Sequence, residues 1–267
     1  MEDALSRVRY RTIWISDLHL GTRACQADRV LDFLRHSDCH TLYLVGDIVD
    51  GWRLQRSWYW PQSHNDVVQE LLRKAHNGTD VYFIPGNHDE AARLYLGHTF
   101  GGVRITPAII HQGANGRRFL VTHGDEFDLV VRRAPWLAHL GDRAYTFLLW
   151  LNVWVNVVRR ALGLTYWSLS ACLKYKSKQA VNFLGRFEDA LADEARRRGV
   201  DGVICGHVHT PSVKAIGDHL YCNTGDWVES CTALVEHETG HIDLVRWAAN
   251  TTKAGFADTP FQQREAA

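Results

Sequence analysis

Two histidines, His207 and His209, sit one residue apart in "GHVH" (206–209), directly after the apolar run "GVIC". In an extended segment residues i and i+2 point to the same side, so both imidazoles can aim at one point just past a strand end. Four more short polar clusters share this placement behind a strand-like run: "SDLH" (16–19), "GDIVD" (46–50), "GNHDE" (86–90) and "THGD" (122–125). Together the five offer Asp17, His19, Asp47, Asn87, His123, His207 and His209. A mixed carboxylate, amide and imidazole set is the donor chemistry that holds first-row divalent ions. Seven donors are too many for one tetrahedral ion and suit two ions about 3.5–4 Å apart that share a carboxylate. Any one cluster reads equally well as a turn, because Asp, Asn, Gly and His are ordinary turn residues. Five in succession, each behind a buried strand, do not.

The elements that must position these residues follow from the apolar pattern. "RTIWIS" (11–16), "TLYLVG" (41–46) and "DVYFIPG" (80–86) read as strands, and "DRVLDFLRH" (28–36) and "HNDVVQELLRKAHNG" (64–78) as helices. The second helix has apolar residues at 67, 68, 71, 72 and 75 and a glycine stop at Gly78. Strands alternating with helices predict an α/β layered core, and loops at strand ends are where ligands gather in such folds. "GVRITPAIIHQGANGRRFLVTHGD" (102–125) reads as two strands joined at Asn115-Gly116. Five short strands between 202 and 247, separated by Gly, Asp and Asn turns, predict a mostly antiparallel sheet in the second half.

The chain has 267 residues, enough for one large domain or one domain with an insertion. A formal net charge of +0 argues against a chain-wide nucleic-acid surface. Six cysteines without a C-x-x-C pair point to free thiols in a reducing compartment. The charged N-terminus lacks an apolar signal segment, and no run of about 18 apolar residues is present. These features predict a cytoplasmic protein.

D-x-H, G-D-x-x-D, G-N-H-D/E, H-G-D and G-H-x-H, in that order, resemble the calcineurin-like metallophosphoesterase superfamily. The resemblance spans residues 9 to about 237. It implies a β-sandwich flanked by helices around a dinuclear centre that hydrolyses phosphoesters by attack of a metal-activated hydroxide. It also implies Asp17, His19 and His209 on one ion, Asn87, His123 and His207 on the other, and Asp47 between them. Asn87 and His207 would also face the substrate. His88 resembles the family's substrate-facing histidine and would act as the acid at the leaving oxygen, with Asp89 orienting it. Manganese is the metal the resemblance suggests; iron and zinc also suit these donors.

From Asp125 to Gly206 the motifs are 80 residues apart, against 26 to 35 between the earlier ones. The expected organisation is a core of 1–126 and 185–250, an inserted helical lid at 127–184 and a polar tail at 251–267. "FLLWLNVWVNVV" is too short to span a bilayer and is interrupted by Asn152 and Asn156. Its basic margins, with Lys174 and Lys178 on one helix face, fit an interfacial helix or acyl groove whose lysines hold an anionic head group. A helical hairpin packed as extra core is the alternative. An insertion at this point resembles the UDP-2,3-diacylglucosamine pyrophosphohydrolases, although that branch typically carries G-N-R-D where this chain has G-N-H-D at 86–89. The resemblance therefore implies an amphiphilic phosphoester substrate and peripheral contact with the cytoplasmic face of a membrane. A phosphodiesterase or phosphatase of another amphiphile is the alternative enzyme, and a catalytically silent scaffold the alternative outside enzymes.

Overall fold

The structure is a computed structural model that describes residues 7–128, 151, 154–157, 159, 161–162 and 178–247. Alternation along the strands explains its layers. In β1 (Val8–Ile15), Ile13 and Ile15 face one way and Trp14 the other. In β2 (Ser37–Leu44), Leu42 and Leu44 join the first group, and Tyr43 joins Trp14. The first group packs on helices α1 (Ala27–His36) and α3 (Gln62–His76) through Val30, Phe33, Leu34, Val67 and Leu71. The second meets Phe119 and Val121 of β7 (Arg118–Val121) and Ile204 of β8 (Gly202–Cys205), which belong to another sheet. Leu120, Val203 and Cys205 face away from it, onto Phe187, Leu191 and Ala195 of α4 (Lys178–Arg198). The order of layers is therefore helix, sheet, sheet, helix, as the α/β sandwich expectation requires. Strands covered on both faces have no polar side to show, which is why they read as continuous apolar runs.

The remaining strands are β3 (Asp80–Phe83), β4 (Thr99–Phe100), β5 (Val103–Ile105), β6 (Ile109–Gln112), β9 (Ser212–Ile216), β10 (His219–Asn223), β11 (Thr232–Glu236) and β12 (Ile242–Arg246). The first sheet has the order β12-β11-β1-β2-β3-β5-β4 and the second β6-β7-β8-β10-β9. β1, β2 and β3 run parallel, with Ile13 opposite Leu42 and Leu42 opposite Val81. β7, β8 and β10 are also parallel, with Leu120 opposite Val203 and Tyr221 opposite Val203. A short α2 (Gly51–Arg56) follows β2.

Two expectations change. The C-terminal strands do not form one mostly antiparallel sheet. β8 lies parallel between β7 and β10, while β11 and β12 cross to the first sheet, where β11 pairs antiparallel with β1. The turn at Gly217-Asp218 sets only the β9–β10 pairing; the neighbours of β8 are set by burial of all four of its residues. The stretch 102–125 holds three strands, the extra one being β5. The predicted boundary at 184/185 falls inside α4, whose core contacts begin with Phe187. Most of the expected lid, including Lys174, and the 251–267 tail lie outside the described residues, as does the side chain of Lys178. The five cysteines among the described residues are free thiols. No helix among those residues is long and apolar enough to cross a membrane.

Candidate metal centre

Five of the parallel strands, β1, β2, β3, β7 and β8, each lead into one of the polar clusters. Backbone bonds continue the ladder past those ends. Asp17 N donates to Gly46 O at 3.0 Å, His19 N to Asp47 O at 2.9 Å, and Gly206 N to His123 O at 3.1 Å. Neighbouring loops are thereby fixed to each other before any side chain acts. The chain then turns sharply. Of the six non-glycine residues with positive φ among the described residues, five are Asp17, Asp47, His19, His207 and His209, at φ between 51° and 70°. That region is sparsely populated for residues with a Cβ and collects at functional sites. Glycines make room for the rings. A Cβ on Gly46 would collide with the His123 ring, and one on Gly206 with Ser16 and Asp17.

The side chains gather into groups whose donor atoms lie within 4.8 Å of one another: Asp17, His19 and His209; Asp47, His123 and His207; and a third of His19, Asp47 and His88. In the first, Asp17 Oδ1 is 3.1 Å from His209 Nε2 and 4.0 Å from His19 Nε2. Asp17 Oδ2 is occupied by Ser16 Oγ and the His207 amide. In the second, His123 Nε2 is 3.4 Å from Asp47 Oδ2, which is also 4.0 Å from His19 Nε2. The Asp47 carboxylate thus faces both groups. Asn87 is buried, and its Oδ1 makes no hydrogen bond among the described residues.

Each imidazole has a polar group behind it, within hydrogen-bond distance for all but His209. His123 Nδ1 donates to Val45 O at 2.8 Å, His207 Nε2 is 3.0 Å from Asp128 Oδ2, and His209 Nδ1 is 3.8 Å from Asp226 Oδ2. His19 Nδ1 is 3.2 Å from Asp50 Oδ2. Such outer partners fix ring orientation in metal sites. Asp50 Oδ2 also lies 3.1 Å from His88 Nδ1, while its Oδ1 accepts from the Arg53 amide and caps α2. Here the expectation for Asp89 needs correcting. Its carboxylate accepts from the amides of Ile48 and Gly86, at 2.8 and 2.5 Å, and it secures the 86–89 loop to the 46–50 loop. The carboxylate at the His88 ring is Asp50. Asp50, Asp128 and Asp226 carried no assignment in the sequence. Asp50 had a signal, as the last residue of G-D-x-x-D; the other two are single aspartates in loops. Arg93 reaches both oxygens of Asp125 and so ties the 86–89 loop to the 122–125 loop.

Charge explains why so many ionisable groups are tolerated here. Burial opposes ionisation of Asp17, but the charge and hydrogen bond of His209 together with the His123 charge outweigh it and hold the carboxyl at about 2. Burial likewise opposes ionisation of Asp47, yet His123, His88 and His19 keep it well below the usual carboxylate range. Burial disfavours the His19 cation, but its bond to Asp50 and the charges of Asp47, Asp50 and Asp17 raise it to about 9. Asp89 goes the other way: burial and then the Asp47 charge push it up to about 6. Against burial, the carboxylates raise His19 and His123, and divalent ions here would supply the positive charge that answers those carboxylates. Asp17 Oδ1, Asn87 Oδ1 and His123 Nε2 are buried without a geometric hydrogen bond among the described residues, and this oxygen and nitrogen donor set fits first-row divalent cations.

Residues 10–211 match the calcineurin-like phosphoesterase family, and the chain belongs to it. The UDP-2,3-diacylglucosamine hydrolase of Stenotrophomonas maltophilia is 27% identical over 261 residues, covering 90% of this chain and 98% of its own. That of Xanthomonas campestris is 29% identical over 240 residues, covering 84% and 94%. A solved archaeal phosphodiesterase aligns over 88% of this chain and 98% of its own, at 14% identity and a TM-score of 0.44. Membership of that family, with curated relatives named as hydrolases, makes the protein a phosphoester hydrolase.

Proposed function

We propose that the protein hydrolyses the pyrophosphate of a lipid-linked nucleotide sugar of the UDP-2,3-diacylglucosamine type, with two divalent ions. The observation that carries the reading is the meeting of two donor groups at the Asp47 carboxylate, beside His88. The names of the relatives support the substrate class. Asp17, His19 and His209 would hold one ion, Asn87, His123 and His207 the other, and Asp47 both. When bound, manganese, iron or zinc ions would lower the pKa of water and neutralise charge building on the phosphoryl oxygens.

The chain's own residues do the rest. Asp50 Oδ2 lies 3.1 Å from His88 Nδ1, which leaves Nε2 as the nitrogen that would exchange a proton with the leaving oxygen. Asp89 keeps the loop carrying Asn87 and His88 in register with the loop carrying Asp47. Lys174 and Lys178 would hold the anionic head group, and the basic margins of the insertion would bring the protein to a membrane surface.

The test is release of UMP from UDP-2,3-diacylglucosamine by the metal-loaded protein, with bis(p-nitrophenyl) phosphate as the small comparison. Turnover of the acylated substrate that stops on chelation is the expected result. Turnover of the aryl diester alone would replace this reading with a phosphodiesterase of another amphiphile, which His88 at the G-N-R-D position favours. Full metal loading without either activity would leave the scaffold reading.

A further inference from the structure

A cleft of about 560 Å³ opens beside His88, between α2 and the 3-10 turn at Glu90–Tyr95. Val49, Trp52, Phe83, Ala92 and Leu94 line it. It is continuous with the metal-ligand cluster through His88, whose ring meets Trp52 at 4.1 Å between centroids and His19 at 4.7 Å. Leu94 at its rim is 82% exposed, a large apolar side chain that folding leaves in water.

Charge narrows what the cleft can hold. Arg93, the lining guanidinium, is turned to Asp125 and the Pro85 carbonyl. The other charged lining side chains, Asp89 and Glu90, are acidic. A phosphate would meet repulsion here, whereas an uncharged group would not. Two aromatic walls favour a flat ring. Gln55 and Glu90, both exposed at the rim, add a donor and an acceptor suited to the edge of a heteroaromatic ring. An alkyl chain would leave them unused.

We propose that this cleft receives the nucleobase of a nucleotide whose phosphate lies at the Asp17–Asp47–His123 cluster, with the ring against Trp52. The proposal rests on the hydrolase reading above and assigns the nucleoside end of the substrate to the core of the chain that carries the ligand motifs. Apolar and aromatic walls with a few polar groups are the usual make-up of such a subsite.

The experiment measures binding of UMP, ribose 5-phosphate and octyl phosphate to the full-length, metal-loaded protein by equilibrium dialysis. UMP is expected to bind at least about tenfold tighter than ribose 5-phosphate, the size of effect that base stacking on an aromatic side chain gives. Ala92→Trp, which fills the cleft, should bring UMP to the level of ribose 5-phosphate and leave the latter unchanged. Gln55→Trp, at an exposed position of α2, provides the same obstruction should Ala92→Trp lower the melting temperature. Equal binding of UMP and ribose 5-phosphate to the wild type would overturn the proposal. So would a loss confined to octyl phosphate in both variants, which would make the cleft an acyl site. Base-dependent UMP binding without UMP release from UDP-2,3-diacylglucosamine would support the cleft and remove the hydrolase reading, so the two fail separately.

Discussion

Gly86→Ala puts one methyl group into the middle of the cluster. The Cβ would stand 2.7 Å from both Nε2 and Cδ2 of His123, and closer still to Asp47 Oδ1. Carbon contacts settle at about 3.5–4.0 Å, so the overlap is most of an ångström on two sides. Neither neighbour yields cheaply. His123 is held by Val45 O at 2.8 Å, and Asp47 Oδ1 accepts from the His88 amide at 2.9 Å. Overpacking of this kind costs about 1–3 kcal/mol, with the upper part of the range expected for pinned neighbours. At about 2–4 °C per kcal/mol for a domain of this size, the melting temperature should fall by about 4–12 °C. The displaced atoms are expected ligands, so the upward shift that Mn²⁺ gives the wild type should also shrink. Gly185→Ala on α4 is the matched control, because nothing lies within 4 Å of its built Cβ. It should gain about 0.5–1 kcal/mol from helix propensity alone and keep the Mn²⁺ response. Calorimetry of the three proteins, with chelator and with Mn²⁺, is the assay. A Gly86→Ala protein that melts within about 1 °C of wild type and responds equally to Mn²⁺ would refute both the packing argument and the placement of the ions.

Three further outcomes are expected. Asp50→Asn keeps the α2 cap but weakens the hold on His19 and His88, so metal affinity should fall by about 10–100-fold; unchanged metal titration would detach Asp50 from the site. His88→Ala should retain its metal by elemental analysis yet lose about 10²–10⁴-fold in kcat, and an unchanged kcat on the native substrate would remove His88 from the reaction. Glu236 is 1% exposed and accepts from Thr12, His111 and the Ala114 amide. Burial would raise its carboxyl, but those bonds hold it below the ordinary range. A lowered carboxyl stabilises the fold fully above its unfolded pKa of about 4.3, and the stabilisation disappears as pH falls through the folded value. The gap in melting temperature between wild type and Glu236→Gln should therefore narrow below about pH 4.3, and a gap that holds constant there would contradict the assignment.

Much of the centre was legible because the ligand pattern and the strand pattern coincide. Each polar cluster follows an apolar run, and a run buried on both faces announces itself by composition, as in "TLYLVGD" and "GVICGH". What the pattern could not carry is adjacency in space. Asp89 follows His88 in the chain and was expected to orient it, yet its carboxylate points back to backbone amides. Asp50 reaches the same ring because α2 begins there and fixes its other oxygen. Asp128 and Asp226 face His207 and His209 across distances of sequence that no local motif spans. The sheet exchange of β11 and β12 was hidden for a similar reason: a hairpin pattern sets which strands pair with each other and leaves open which sheet they extend.

The left-handed backbone at Asp17, His19, Asp47, His207 and His209 sets a trade-off between activity and robustness. Each such residue costs on the order of 1 kcal/mol or more, so five of them forgo an amount comparable to the lower end of the net stability of a whole domain, about 5 kcal/mol. Glycine at any of these positions would relieve that cost and abolish a ligand in the same step. Selection for thermal resistance without selection for turnover should therefore enrich glycine at 17, 19, 47, 207 and 209, and lineages that lose the chemistry should drift there first.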